Sequence, residues 1–156
     1  MSIEKLIVWE PIKAKEIQFS RFYNELLFYE MHYRKDFVLV VEDAKHSKKY
    51  TFTYENKKSQ KYAIITFRFF DEMTRPDIEE LISKVGKDRE KEGLSKLTFE
   101  PTFYKVENSS FLSWYDNIFP ARAVLQPKAE HHLYITSDYI IDVLSEYEPT
   151  VAVEFQ

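Results

Sequence analysis

Cysteine is absent from this chain, and glycine occurs only twice in 156 residues. Without thiols there can be no disulfide, zinc-thiolate site, iron-sulfur cluster or cysteine nucleophile. Gly86 and Gly93 stand too far apart to form a dinucleotide fingerprint or a phosphate-cradling loop, which disfavours a conventional nucleotide site. Long apolar runs are also missing: no stretch approaches the ~20 residues that a membrane helix needs. The opening MSIEKLIVWEP breaks its short apolar run with Glu4, so the expectation is a cytoplasmic protein with no membrane association. Asn108-Ser109-Ser110 fits a glycosylation acceptor formally, but without a secretory signal it is read as chance.

What is present is aromatic. The chain holds 13 Phe, 11 Tyr and 2 Trp, side chains that suit pleated, half-buried surfaces. Hydrophobic residues make up 44% and charged residues 31%, a globular balance, and the length suits one domain over residues 1–156. The net charge of -4 argues against general attraction to polyanions. It suits a basic protein partner, and it equally suits a protein that merely stays soluble.

Periodicity predicts the elements. FVLVVED (37–43), YTFTYEN (50–56) and KYAIITFRFF (61–70) read as three strands joined by short polar turns, hence an antiparallel meander. IEKLIVWEP reads as a strand ended by Pro11, and residues 14–34 as an irregular or helical piece followed by a strand from about Leu26 to Arg34. Thr74-Arg75-Pro76-Asp77 marks a helix start, and Ile78, Leu81, Ile82 and Val85 form its buried stripe, with KDREKEG frayed or solvent-facing beyond Gly86. LTFEPTFYKVEN holds two short strands broken at Pro101, SSFLSWYDNIF a serine-capped helix, and PARAVLQPKA an exposed loop. EHHLYIT is predicted as a strand, SDYIIDVLSEY as a helix capped by Ser137, and TVAVEF as a closing strand. The fold class is α+β, a mostly antiparallel sheet packed by two or three short helices.

The histidine pair is the most suggestive chemistry. On a strand His131, Leu133 and Ile135 share one face, and Glu130, His132, Tyr134 and Thr136 the other, so the two imidazoles cannot easily converge on one ion. His131 therefore reads as a structural histidine on an apolar face. His132 with Glu130 is the alternative catalytic reading, a carboxylate-oriented imidazole of a small hydrolase or transferase. No metal-ligand spacing and no nucleophile elbow occur; Ser109, Ser110 and Ser137 read as helix caps, and no cofactor or metal is expected. The lysines at 45, 48, 49 and 57, 58, 61, beside Tyr50, Phe52, Phe67 and Phe69, suggest a single-stranded nucleic-acid platform as a second alternative. The acidic balance and the missing glycine signature favour core aromatics with solvated lysines.

FYKVENSSFLSWY followed by HHLYITSDYIIDVLSEYEPTV resembles a pattern in small uncharacterised proteins of Gram-positive bacteria, over roughly residues 60–155. The resemblance implies an immunity-type protein that neutralises a partner toxin. The leading expectation is thus a non-enzymatic protein-interaction protein, with Trp114, Tyr115, Asp116, Tyr139 and Tyr147 as partner-binding residues and a basic toxin as the partner.

Overall fold

The structure, a computed structural model, describes residues 3–12, 26–57, 62–94 and 102–156. Its strands are β1 (Lys5–Val8), β2 (Leu26–Tyr33), β3 (Phe37–Asp43), β4 (Lys48–Tyr54), β5 (Thr66–Asp71), β6 (Phe103–Glu107), β7 (Glu130–Ile135), β8 (Tyr139–Ser145) and β9 (Thr150–Phe155). The helices are α1 (Pro76–Lys91), α2 (Ser110–Ile118) and the single turn α3 (Arg122–Leu125). Two sheets form, in the orders β1-β6-β7-β8-β5 and β2-β3-β4-β9, and every neighbouring pair is antiparallel. No helix among the described residues is long and apolar enough to cross a membrane.

The expected alternation places the core. Phe37, Leu39 and Val41 of β3 and Tyr50, Phe52 and Tyr54 of β4 point to one face, where they meet Phe103, Tyr134, Ile141 and Val143 of the other sheet. This aromatic layer is the inside of a sandwich. The first sheet is also covered on its far side, where Leu6, Tyr104, Val106, Leu133 and Ile140 pack with Ile78 and Val85 of α1. Its central strands are consequently buried on both faces, while the outward side chains Val38, Thr51 and Thr53 of the second sheet are only half-buried.

Glycine is too scarce to make the turns, and other residues take the strained positions. His46 holds φ 55° in the β3–β4 turn, which Asp43 stabilises by accepting from the Ser47 amide at 2.7 Å, the Ser47 hydroxyl at 2.6 Å and the Lys48 amide at 3.2 Å. Asn108 holds φ 53° between β6 and α2. Gly93, at φ 71°, follows the end of α1.

Four expectations change. SDYIIDVLSEY is not a helix: its centre is β8, paired with both β5 and β7, and Ser137 donates its N–H (2.9 Å) and hydroxyl (3.3 Å) to the Leu26 carbonyl instead of capping. An apolar run buried on both faces carries no period-2 signal, so it mimics a helix. The 61–70 segment does not extend the meander; β5 joins β8 in the other sheet, and the meander is β2-β3-β4. α1 runs past Gly86 to Lys91, and Arg75, with no side-chain cap, holds its N-cap position while Thr74 donates to the Asp71 carbonyl. PARAVLQPKA contains α3. The irregular piece predicted for 14–25 and the strand predicted before Pro101 lie outside the described residues.

Candidate functional site

Three strands and one helix cap converge on Asp142. It sits at the centre of β8 with its side chain on the helix-facing side, fully buried. Directly opposite on β5, Arg68 donates to it through Nε (2.9 Å) and Nη2 (3.3 Å); Arg75, just before α1, donates through Nη1 at 2.6 Å. From β7, His131 Nε2 lies 2.7 Å from Asp142 Oδ1. Burial alone would push the Asp142 carboxyl up, but the hydrogen bonds from His131 and Arg68 hold it well below the usual carboxylate range. An ionised carboxylate only accepts, so Asp142 takes a hydrogen bond from His131 Nε2, and the other ring nitrogen, Nδ1, lies 2.7 Å from Ser109 Oγ. Ser109 is the N-cap of α2, its Oγ also accepting from the Leu112 amide at 3.0 Å. Ser109 and His131 form part of the wall of an open cleft of about 660 Å³, together with Lys105, Asn108, Leu112 and Asp116.

His132 faces the opposite way and lands in the sandwich core. Its ring is completely buried and stacks on Trp9 with centroids 4.5 Å apart. Tyr134 and Tyr54 hydroxyls lie 2.6 Å apart, the Tyr54 hydroxyl is 2.7 Å from His132 Nδ1, and His132 Nε2 is 3.3 Å from Glu130 Oε1. Lys105 Nζ completes the line at 2.9 Å from Glu130 Oε2 and 2.7 Å from Glu148. Burial pushes the His132 pKa down, against the opposing hydrogen bond to Glu130. Glu130, receiving hydrogen bonds from His132 and Lys105 that outweigh its partial burial, is pushed down to about 2. Both shifts describe one state, a neutral imidazole donating from Nε2 to an ionised carboxylate. On the face predicted to be polar, His132 therefore lies in the interior of the sandwich, with Glu130 at its partly exposed rim, and His132 offers no face to a substrate.

The α2–α3 segment carries the second notable arrangement. Phe111 anchors α2 in the body, its ring 5.6 Å from that of His131 and 4.3 Å from the Arg68 guanidinium. Farther along the helix the same stripe leaves the body: Trp114 is 54% exposed and Ile118 62%. Phe119 follows, and on α3 Val124 is 81% exposed and Leu125 65%. Arg122, buried beneath them, clamps α3 to α2 by a two-pronged bond to Asp116 (2.7 and 2.8 Å) and a bond to the Gln126 carbonyl at 3.0 Å. These apolar side chains are thus displayed on a braced scaffold.

The structure gathers Trp114, Tyr115 and Asp116 on α2 and sends the other two predicted partner residues elsewhere. Tyr139 is half-buried, stacked on Phe69 at 4.6 Å, and the Tyr147 hydroxyl ties down the Glu55 and Ala63 carbonyls at 2.6 and 2.7 Å. Tyr50 and Phe52 are buried between the sheets, so they form no open platform for bases. Lys49 lies over the Tyr29 ring and Lys57 over that of Tyr147, whereas Lys58 and Lys61 lie outside the described residues. Among the described residues no three His, Asp or Glu side chains gather as a metal site. Sequence reasoning missed the union of Ser109, His131 and Asp142, because Asp142 was assigned to a helix. It also missed Ile118, Val124 and Leu125, whose apolar character points inward. Comparison with protein-family models, curated proteins and solved structures finds no match to this chain.

Proposed function

We propose that this chain is a protein-binding protein whose contact surface is the exposed face of α2 and α3. The observation that supports this reading is the display of Trp114, Ile118, Phe119, Val124 and Leu125 on one short, clamped segment. A contiguous exposed apolar patch of this kind marks an interaction site, and aromatic residues with few charges are the composition of interface centres. The brace from Arg122 keeps the patch in one shape before a partner arrives, which lowers the ordering cost of binding.

The neighbouring charges favour a basic partner over a second copy. Glu107, Asp116 and Glu130 border the cleft beside α2; Arg122 pairs with Asp116 and Lys105 is shared between Glu130 and Glu148, so acids outnumber cations there. A two-fold dimer through this face would bring two acidic rims together, whereas a partner with an apolar centre and a basic rim would be complementary to it. Neutralisation of a basic toxin, the role implied by the sequence resemblance, is one form that such binding takes.

Photo-crosslinking residues installed at Trp114 and Val124, with a control at Thr51 on the outer face of β4, test the reading in the native host. The expected result is one basic protein captured from both α2–α3 positions and not from the control. The purified pair should then bind with an affinity that Ile118→Asp reduces by at least about tenfold, the equivalent of ~1.4 kcal/mol. Self-association through this face, or binding unaffected by Ile118→Asp, would refute it.

A further inference from the structure

We infer that Ser109, His131 and Asp142 form an esterase-type site in which Ser109 is the nucleophile, in the cleft that borders the docking surface. The inference rests on four geometric facts. Ser109 lies between the end of β6 and the start of α2, directly after Asn108 (φ 53°), and forms part of the cleft wall. Its Oγ lies 2.7 Å from His131 Nδ1, which takes the hydroxyl proton when the imidazole is neutral, and the same oxygen accepts from the Leu112 amide. The other imidazole nitrogen, at 2.7 Å from a buried carboxylate, is held as N–H, and that carboxylate is kept ionised by Arg68 and Arg75. Finally, the Ser110 amide, which belongs to the residue after the serine, already binds an anionic oxygen, Glu4 Oε2 at 2.9 Å.

These roles define a nucleophile, base and orienting acid by geometry, although the imidazole is turned so that Nδ1 faces the serine. A carboxylic ester entering the cleft is attacked at its carbonyl carbon by Ser109 Oγ. The O–H bond breaks, its proton passes to His131 Nδ1, and the carbonyl π pair moves to oxygen. Asp142 stays ionised and stabilises the imidazolium; it takes no proton. The oxyanion displaces Glu4 from the Ser110 N–H, at the positive end of the α2 dipole. Collapse reforms the carbonyl, breaks the bond to the alkoxide and returns the proton from Nδ1 to the leaving oxygen. Water then releases the acyl group by the same sequence. The cleft-wall acids Glu107, Asp116 and Glu130 outnumber Arg122 and Lys105, the cations paired with two of them, and this surplus favours esters carrying a cationic group.

The test is covalent labelling with fluorophosphonates bearing a trimethylammonium or a sulfonate tail, with the adduct mapped by mass spectrometry and hydrolysis of 4-nitrophenyl acetate followed in parallel. The expected adduct is on Ser109, formed at least about tenfold faster by the cationic probe, and Glu4→Ala accelerates it by removing the competing carboxylate. Ser109→Asn, which preserves an oxygen for the Leu112 amide, abolishes adduct and turnover with the melting temperature retained. His131→Asn, with folding checked by circular dichroism, slows labelling by about a hundredfold or more. No Ser109 adduct in the wild type or Glu4→Ala, an unchanged rate in folded His131→Asn, or labelling without ester turnover overturns the assignment.

Discussion

His131 and His132 are adjacent in the chain, and the pleat sends them into two chemically different interiors. Each turns Nε2 to a carboxylate, Asp142 for His131 and Glu130 for His132, and each presents Nδ1 to a hydroxyl. The alternation rule predicted the separation of the rings, and it predicted correctly which residues share each face. It could not predict what lies opposite: Tyr54 and Trp9 against His132 come from another sheet and a distant part of the chain. The consequence for stability has a definite sign. His132 is buried neutral, with its folded-state pKa below the ordinary histidine value of 6.5, so the unfolded chain takes up the proton first and stability falls as pH drops below about 6.5. Glu130, pushed down from 4.5 to about 2, contributes stability that is present above 4.5 and lost across that lower window. Urea titrations between pH 8 and pH 3 should show two successive losses, and His132→Gln should remove the first and diminish the second, because the hydrogen bond from His132 is the main cause of the low Glu130 pKa. A profile unchanged by His132→Gln would mean that the imidazole is not held neutral in the core.

At the scale of elements, α2 divides between holding the fold and facing outward. Phe111 at its start fills the space between His131 and Arg68, whereas Trp114, one turn later, stacks beside Phe111 at 5.7 Å yet remains mostly in water. Phe111→Ala should cost about 3–5 kcal/mol, as for other buried aromatic rings. Trp114→Ala should lie within about 0.5 kcal/mol of the wild type, since a surface change away from special features has little effect. Chemical denaturation of the two variants measures the contrast directly, and a Trp114→Ala loss as large as that of Phe111→Ala would show that the exposed stripe is part of the core. The helix itself was legible from Ser109 as a cap and from its apolar spacing. Its overhang was not, because Ile118 sits on the same stripe as Phe111, and periodicity reports which residues share a face but not where the underlying body ends. The misreading of β8 has a related cause. Ile140, Ile141, Val143 and Leu144 are all buried, so the alternation that identifies a half-exposed strand vanishes, and Asp142, which would break an apolar strand without partners, is sustained by Arg68, Arg75 and His131.

The whole molecule follows from an interleaving that no local pattern encodes. The chain supplies β1 to one sheet, β2, β3 and β4 to the other, returns to the first for β5 to β8, and closes with β9 beside β4. The strand periods foresaw most of these segments and the α+β class, but period 2 carries no information on which sheet a strand joins. That depends on long-range matches such as Phe52 against Phe103 and Tyr134, or Phe37 against Phe67. Such a topology concentrates stability unevenly. β7 and β8 lie inside a sheet covered by the sandwich core on one side and by helices on the other, and nearly every residue from His131 to Ser145 in those strands is buried. Among the described residues β9 is an edge strand paired only with β4, and its residues alternate between half-buried and exposed; β2 is the opposite edge among them and is interrupted by a bulge at Phe28–Glu30. Local opening should therefore begin at the edges of the second sheet, where few apolar contacts are lost, and reach β7 and β8 only with global unfolding. Native-state hydrogen exchange at low denaturant should place the Leu133 and Val143 amides in the slowest class and the interstrand amides of β9 in a faster one. Equal protection of β9 and β8 would mean that the two sheets open as one unit and that the double burial of the first sheet confers no separate stability.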